Sequence, residues 1–171
     1  GYPAILAAQT VGASGSVTGI DLAGDMLAVA ERKAKRLGLL NVTFRTGDAT
    51  ILPFETASFD AVISRFCLMF LPDVPKASAE IARVLKPSRW FAVMVWSSSE
   101  RNPSIGLSMA AIKQVIDLPP PDPTAPGIFR LAKPGELAGM LQDAGLVDIT
   151  EQEFLAEWSY ESHDHYYTAM M

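Results

Sequence analysis

The 171 residues are 49% hydrophobic and carry a formal net charge of −5, enough for one domain with a buried core and an acidic balance that weighs against a nucleic-acid partner. No apolar run is long enough to span a bilayer as a helix. Cys67 is the single cysteine, which excludes an internal disulfide or a cysteine-based zinc site and suggests a reduced, cytoplasmic setting.

The opening Gly1-Tyr2-Pro3 has neither a basic leader nor an initiator Met, so the native start is expected upstream. Residues 3–11 read as a helix with proline in its first turn, closed by Gly12-Ala13-Ser14-Gly15, and a strand follows over 16–21. Over 25–37, Met26, Leu27, Ala30, Ala34 and Leu37 share one helical stripe, while Glu31, Arg32, Lys35 and Arg36 take the other face. The basic cluster Arg32-Lys33-Lys35-Arg36 is thus read as a solvated helix face. Gly38 ends that helix, and 41–45 is the next strand.

A loop at 52–58 precedes a third strand, 59–66, whose Ala61-Val62-Ile63 run suits a sheet buried on both faces. A helix over 75–85 is stopped by Lys86-Pro87, and a fourth apolar strand occupies 90–96. Strands alternating with helices imply right-handed crossovers and a parallel sheet. Helices are then expected at 105–118 and 134–144, a stiff proline-rich run at 119–123, and a strand at 147–154. One domain, 1–171, is expected, with 97–130 an insertion or flap.

Val17-Thr18-Gly19-Ile20-Asp21 and Phe44-Arg45-Thr46-Gly47-Asp48 are short strands that both run into an aspartate. Open α/β sheets bind ligands beyond the carboxyl ends of their strands. Two aspartates there suit a nucleoside, which offers ribose hydroxyls and an exocyclic amine. The blander readings are a helix cap for Asp21, which sits several residues early for one, and a turn residue for Asp48. Leu22 and Met26 could equally be core, and Asp60, at the opposite end of its strand, is assigned a structural role. His163-Asp164-His165 lacks an identifiable third ligand, Ser162 before it reads as an N-cap, and no metal site is expected. Without a Gly-x-Ser-x-Gly elbow, the serines at 64 and 97–99 do not point to a hydrolase.

The order strand–Asp21, helix, strand–Gly47-Asp48-Ala49, Leu52-Pro53-Phe54, Ser58-Phe59-Asp60-Ala61-Val62, helix, Val84-Leu85-Lys86-Pro87 resembles the class I S-adenosylmethionine-dependent methyltransferases. It is most similar to the small-molecule branch that includes ubiquinone- and menaquinone-pathway enzymes. The run 64–70 and Gly145-Leu146 are similar to further stretches of that family, so the resemblance covers nearly the whole chain. It implies an α/β, Rossmann-like, mostly parallel sheet with helices on both faces. It also implies that the first strand and most of the glycine-rich loop are lacking, a truncation at the N-terminus, with Gly1 similar to that loop's last glycine. The family's Lys-Pro-Gly-Gly turn is here Lys86-Pro87-Ser88-Arg89, without the glycines that take positive φ.

The resemblance implies S-adenosylmethionine as cofactor. Asp21 would bind the ribose hydroxyls, Leu22 and Met26 pack beside adenine and ribose, Asp48 accept the adenine amine, Ala49 offer a backbone N–H, and Ser64 face the methionine part. Arg65, Phe66, Met69 and Trp96 are expected in the pocket of a small-molecule methyl acceptor; no catalytic residue is identified. Two other readings stand beside this one. A nicotinamide-dependent oxidoreductase would also use an acidic residue after the second strand, but leaves Asp48 unexplained and has no G-x-G-x-x-G here. A non-catalytic methyltransferase-like binding domain would account for the missing loop, and unpaired strand edges would favour a homo-oligomer.

Overall fold

The computed structural model describes residues 1–117, 122, 125–157, 159–162, 164–165 and 168. Helix α1 (Tyr2–Val11) has Pro3 in its first turn, where a missing N–H costs nothing. Its far end is stapled by Asn41, whose side-chain amide donates to the carbonyls of Ala8 at 2.9 Å and Gly12 at 2.7 Å. Those bonds fill acceptors that a helix terminus leaves open.

Strand β1 (Val17–Asp21) leads into α2 (Gly24–Arg36), which buries Leu27, Ala30 and Ala34. Met26 and Leu37 were expected on the same stripe but are 53% and 45% exposed. Strand β2 (Val42–Thr46) runs parallel to β1, with Val17 opposite Val42 and Asp21 opposite Thr46. Strand β3 (Phe59–Arg65) reaches its parallel neighbour β4 (Leu85–Met94) through α3 (Val74–Val84). The N-cap of α3 is Asp73, whose carboxylate accepts the Lys76 N–H at 2.9 Å.

Pairing in β4 begins earlier than the expected 90–96. Phe59 lies opposite Leu85 and Ala61 opposite Trp90, so residues 86–89 bulge from the ladder between them. Ser88 takes φ +59° there. Lys86 at 2.8 Å and Arg89 at 3.3 Å both pair with Asp60 and pin the bulge, which gives Asp60 the structural role expected of it.

Neighbouring residues of β1 show how the layers stack. A Cβ on Gly19 would meet the Phe44 ring at 2.8 Å and Ala4 of α1 at 3.2 Å. Ile20, on the opposite face, packs against the core formed by Leu68, Val74, Ala77, Ile81, Val84, Leu137 and Leu141. Helices α1 and α3 therefore lie on opposite sides of the strands, as a Rossmann-like layering requires.

Instead of one continuous sheet, the described residues form two parallel two-stranded sheets, β1-β2 and β3-β4. Helices α4 (Pro103–Val115) and α5 (Glu136–Asp143) follow. The strand expected at 147–154 does not form: the segment joins no ladder, and Val147 and Phe154 are 79% and 75% exposed. Alternation alone does not make a strand without a partner to receive its N–H and C=O groups. Most of the proline-rich run at 119–123 and His163 lie outside the described residues. Ser162 does accept the His165 N–H at 3.1 Å. Among the described residues no helix is long and apolar enough to cross a membrane, and no group of three metal-ligating side chains gathers.

Candidate functional site

Parallel pairing puts the carboxyl ends of β1 and β2 side by side. The Asp21 carbonyl accepts the Gly47 N–H at 3.1 Å, which ties the Gly47-Asp48 turn to the end of β1. Asp21 Oδ1 accepts the Ala23 N–H at 2.9 Å, while Ala23 is the N-cap of α2. Asp21 thus shapes the turn ahead of the helix, and its Oδ2 receives no hydrogen bond from a described residue. Asp48 Oδ1 accepts both the N–H and the hydroxyl of Thr50, each at 2.8 Å. The backbone bond, then the hydroxyl, then the charge of Lys76 hold the Asp48 carboxyl below its usual pKa. Its second oxygen also takes no bond from a described residue.

Apolar side chains flank these carboxylates. Leu22 is 63% exposed, Met26 53% and Ile51 64%, so Leu22 and Met26 are not core. The Ile51 N–H donates to the Asp48 carbonyl at 3.1 Å. Ala49 is half-buried against the core. Two carboxylates with unused oxygens beside exposed aliphatic groups complement a nucleoside, polar at its ribose and amine and apolar on its base faces.

The loop that carries this edge is clamped to α3. Glu80 Oε2 accepts the Leu52 N–H at 2.7 Å, and the Arg83 guanidinium donates to the carbonyls of Phe54 at 2.8 Å and Leu52 at 3.0 Å. Arg83 also pairs with Glu80 at 2.7 Å and is the main cause of the lowered Glu80 pKa. Thr50, Ile51, Glu80 and Arg83 were not among the sequence candidates. Glu80 and Arg83 stand one helical turn apart on α3, but spacing does not reveal which loop they hold.

Beyond β3 the candidates divide. Ser64 is on the same face as Val62, and its Oγ is buried without a hydrogen-bond partner. Phe66 adopts φ +53°, and its N–H donates to the Met94 carbonyl at 2.8 Å. Its ring stacks on Trp96, centroids 4.5 Å apart and planes 5° from parallel. The Arg65 guanidinium lies 4.5 Å from the Phe66 centroid and 5.8 Å from that of Tyr2. Cys67 keeps an exposed surface, yet crowding around its sulfur, then the Asp21 charge, raises its thiol pKa; the ends of β1 and β3 are thus within electrostatic reach. Met69 does not belong with the acceptor candidates: it is 0% exposed and part of the core. Its short 3-10 turn (Leu68–Phe70) directs it inward. Gly1 caps α1 against α2, where a Cβ would come within 2.6 Å of Ala30.

This edge is open, and a hollow of about 430 Å³ lined by Ala34, Leu40 and Phe44 lies apart from it. Residues 1–93 match the family model described as a methyltransferase domain. The chain belongs to the methyltransferase domain family. This methyltransferase domain is 43% identical over 83 residues to a demethylmenaquinone methyltransferase of Bacillus cytotoxicus, covering 48% of the chain and 35% of that protein. It is 31% identical over 157 residues to the nocamycin O-methyltransferase of Saccharothrix syringae, covering 85% of the chain and 55% of the relative. Among solved structures, a SAM-dependent methyltransferase from Aquifex aeolicus superposes with a TM-score of 0.57 at 25% identity, over 81% of this chain and 62% of the other. The chain spans between a third and just over half of the curated relatives' length.

Proposed function

We propose that this methyltransferase domain binds S-adenosylmethionine across the carboxyl ends of β1 and β2 and transfers a methyl group to a small-molecule acceptor held near the end of β3. The observation that carries this reading is the pair Asp21 and Asp48, on adjacent strand ends, each with one carboxylate oxygen engaged by the protein and one left over. Asp21 would take the ribose hydroxyls and Asp48 the adenine amine, with Leu22, Met26 and Ile51 against the apolar faces. Ala49 and Gly1 would offer backbone, and the orphaned Ser64 hydroxyl the methionine end. A dinucleotide would use Asp21 as well, but gives Asp48 no task.

Bound there, S-adenosylmethionine supplies a methyl group on a positively charged sulfur, already an electrophile. The protein's share is then alignment, worth on the order of 7–11 kcal/mol when reacting atoms are well held. The Glu80–Arg83 clamp fixes the loop beside Asp48, and the two bonds from Thr50 orient that carboxylate and lower its pKa. Residues 97–130 would act as a flap over the acceptor, anchored at one end where Ser97 and Arg101 meet Glu153 and at the other where the Gly127 N–H donates to the Met69 carbonyl. A cytoplasmic setting, no nucleic-acid partner and association of copies through free strand edges complete the proposal.

The test is calorimetry with S-adenosylhomocysteine on wild type, Asp21→Asn and Asp21→Ala. Hydrogen bonds to a charged acceptor contribute about 1.5–3 kcal/mol each. Both variants should bind more weakly, and Asp21→Asn, which keeps an oxygen for the Ala23 N–H, should fold normally. Wild-type affinity in Asp21→Asn would remove Asp21 from the site.

A further inference from the structure

The basic cluster of α2 stands away from the cofactor edge. Leu27, Ala30 and Ala34 turn one side of α2 into the protein, and Val29, Arg32 and Arg36 follow one another at i, i+3 and i+7 on the side away from them. Arg32, Lys35 and Arg36 are exposed and make no hydrogen bond or ion pair with a described residue. Lys33 is half-buried, its Nζ 5.5 Å from the centroid of the Tyr2 ring. These four cations against Glu31 give residues 29–40 a net charge of +3 in a chain whose total is −5, so the remainder carries −8. Aliphatic side chains stand among the cations: Val29 is 51% exposed, Leu37 45% and Leu40 98%. Either feature alone is an ordinary solvated surface; interleaved, they make a basic amphipathic face.

We propose that the C-terminal half of α2, with the turn at 37–40, docks this domain on an anionic lipid surface. The cations meet lipid phosphates, and Leu37 and Leu40 enter the headgroup layer. An open hollow of about 350 Å³ bounded by Val29, Arg32, Lys33 and Arg36 has room for one such phosphate. The projecting Leu40 calls for a partner that yields around it, as a fluid headgroup layer does and a folded acidic protein does not. The negative remainder of the chain is repelled by the same surface, so the domain lands by this face. Helix α2 starts just past Asp21, and its last turn leads to Val42, which pairs with Val17 at the opposite ends of β1 and β2. Over its 13 residues the helix rises about 20 Å. A docked domain therefore holds Asp21 and Asp48 away from the lipid, and docking does not depend on what binds at that edge.

The experiment is co-sedimentation of the 171-residue chain with large vesicles of phosphatidylcholine, and of phosphatidylcholine and phosphatidylglycerol in equal parts. The chain should bind the mixed vesicles, fail to bind the neutral ones, and bind less as salt rises. A cation at such a surface contributes about five-fold, so Arg36→Gln should weaken binding about five-fold and Arg32→Gln with Arg36→Gln about 25-fold. Melting should not change, because neither side chain has a described partner to lose. Leu40→Ser should weaken binding while leaving its salt dependence as in wild type. Lys113→Gln, which removes a cation from α4, should change nothing. Equal binding to both vesicles, no binding to either, or equal losses in Arg36→Gln and Lys113→Gln would each overturn the proposal. Undiminished binding by Leu40→Ser, together with tighter binding of wild type to poly-glutamate than to the mixed vesicles, would overturn it in favour of an acidic protein partner.

Discussion

The Asp48 carboxyl is held below the ordinary aspartate pKa chiefly by Thr50, a buried residue whose N–H and hydroxyl both reach Oδ1. Because the folded pKa lies below the ordinary aspartate value of 3.8, this interaction stabilises the fold above that value and is lost as pH falls through the lower, folded pKa. Thr50→Val keeps the backbone bond and removes the hydroxyl bond. The Asp48 pKa should therefore rise part of the way to its ordinary value, read by NMR titration of the side-chain carboxyl carbon. An unchanged pKa would show that the backbone N–H alone accounts for the shift. Thr50 was not legible in the sequence, since its importance depends on a turn that brings i and i+2 together. That Asp21 and Asp48 stand at the carboxyl ends of neighbouring strands was legible, because both strands are marked by local patterns. Met69 was misread for the opposite reason: in Phe66-Cys67-Leu68-Met69-Phe70 every side chain is apolar, and only the turn geometry decides that Phe66 stays half-exposed while Leu68 and Met69 go inward.

Among the elements, the Lys86–Arg89 bulge is where local preference and the ladder disagree. Its ends are in register with Phe59 and Ala61, and Ser88 takes φ +59° to close it. The left-handed region costs a residue with a Cβ about 1–2 kcal/mol, and glycine avoids that at an entropic cost of roughly 0.5–1 kcal/mol. Ser88→Gly should then stabilise the fold by about 0.5–1 kcal/mol, raising Tm by about 1–4 °C for a domain of this size. A Tm that stays level or drops would mean that the Asp60 pairs with Lys86 and Arg89, not the dihedral, set the energy of the turn. Helices and strands up to β3 were readable within a residue or two because their periodicity is local. The start of β4 was not, since Lys86-Pro87 looks like a stop and only the partner strand shows the pairing resuming behind it. For 147–154, sequence alternation is present, but among the described residues no strand pairs with the segment.

For the whole molecule, the divided sheet has the largest consequence. Among the described residues β1 is bonded only to β2 and β3 only to β4, so each presents an edge of N–H and C=O groups that no described strand pairs. Both sheets nevertheless belong to one packed body: α1 touches β1, β2 and β3, and Ile20 of β1 reaches the core beneath β3. One face of β3–β4 is also thinly covered, with Ile63 53%, Trp90 76% and Met94 44% exposed at paired positions. Composition and periodicity within the chain could not show that its four strands pair as two separate ladders. Since every second amide of a strand points to each side, the outward amides of β1 and β3 should exchange with solvent much faster than the amides bonded to β2 and β4. Hydrogen exchange resolved by residue measures this directly. A longer chain that supplies one more parallel strand and its loop, roughly 10 to 15 residues, should slow exchange at both edges together and raise Tm. If the outward amides of β1 and β3 are as protected in the 171-residue chain as the paired ones, the two edges are already satisfied in solution and the divided sheet is not the state the protein occupies.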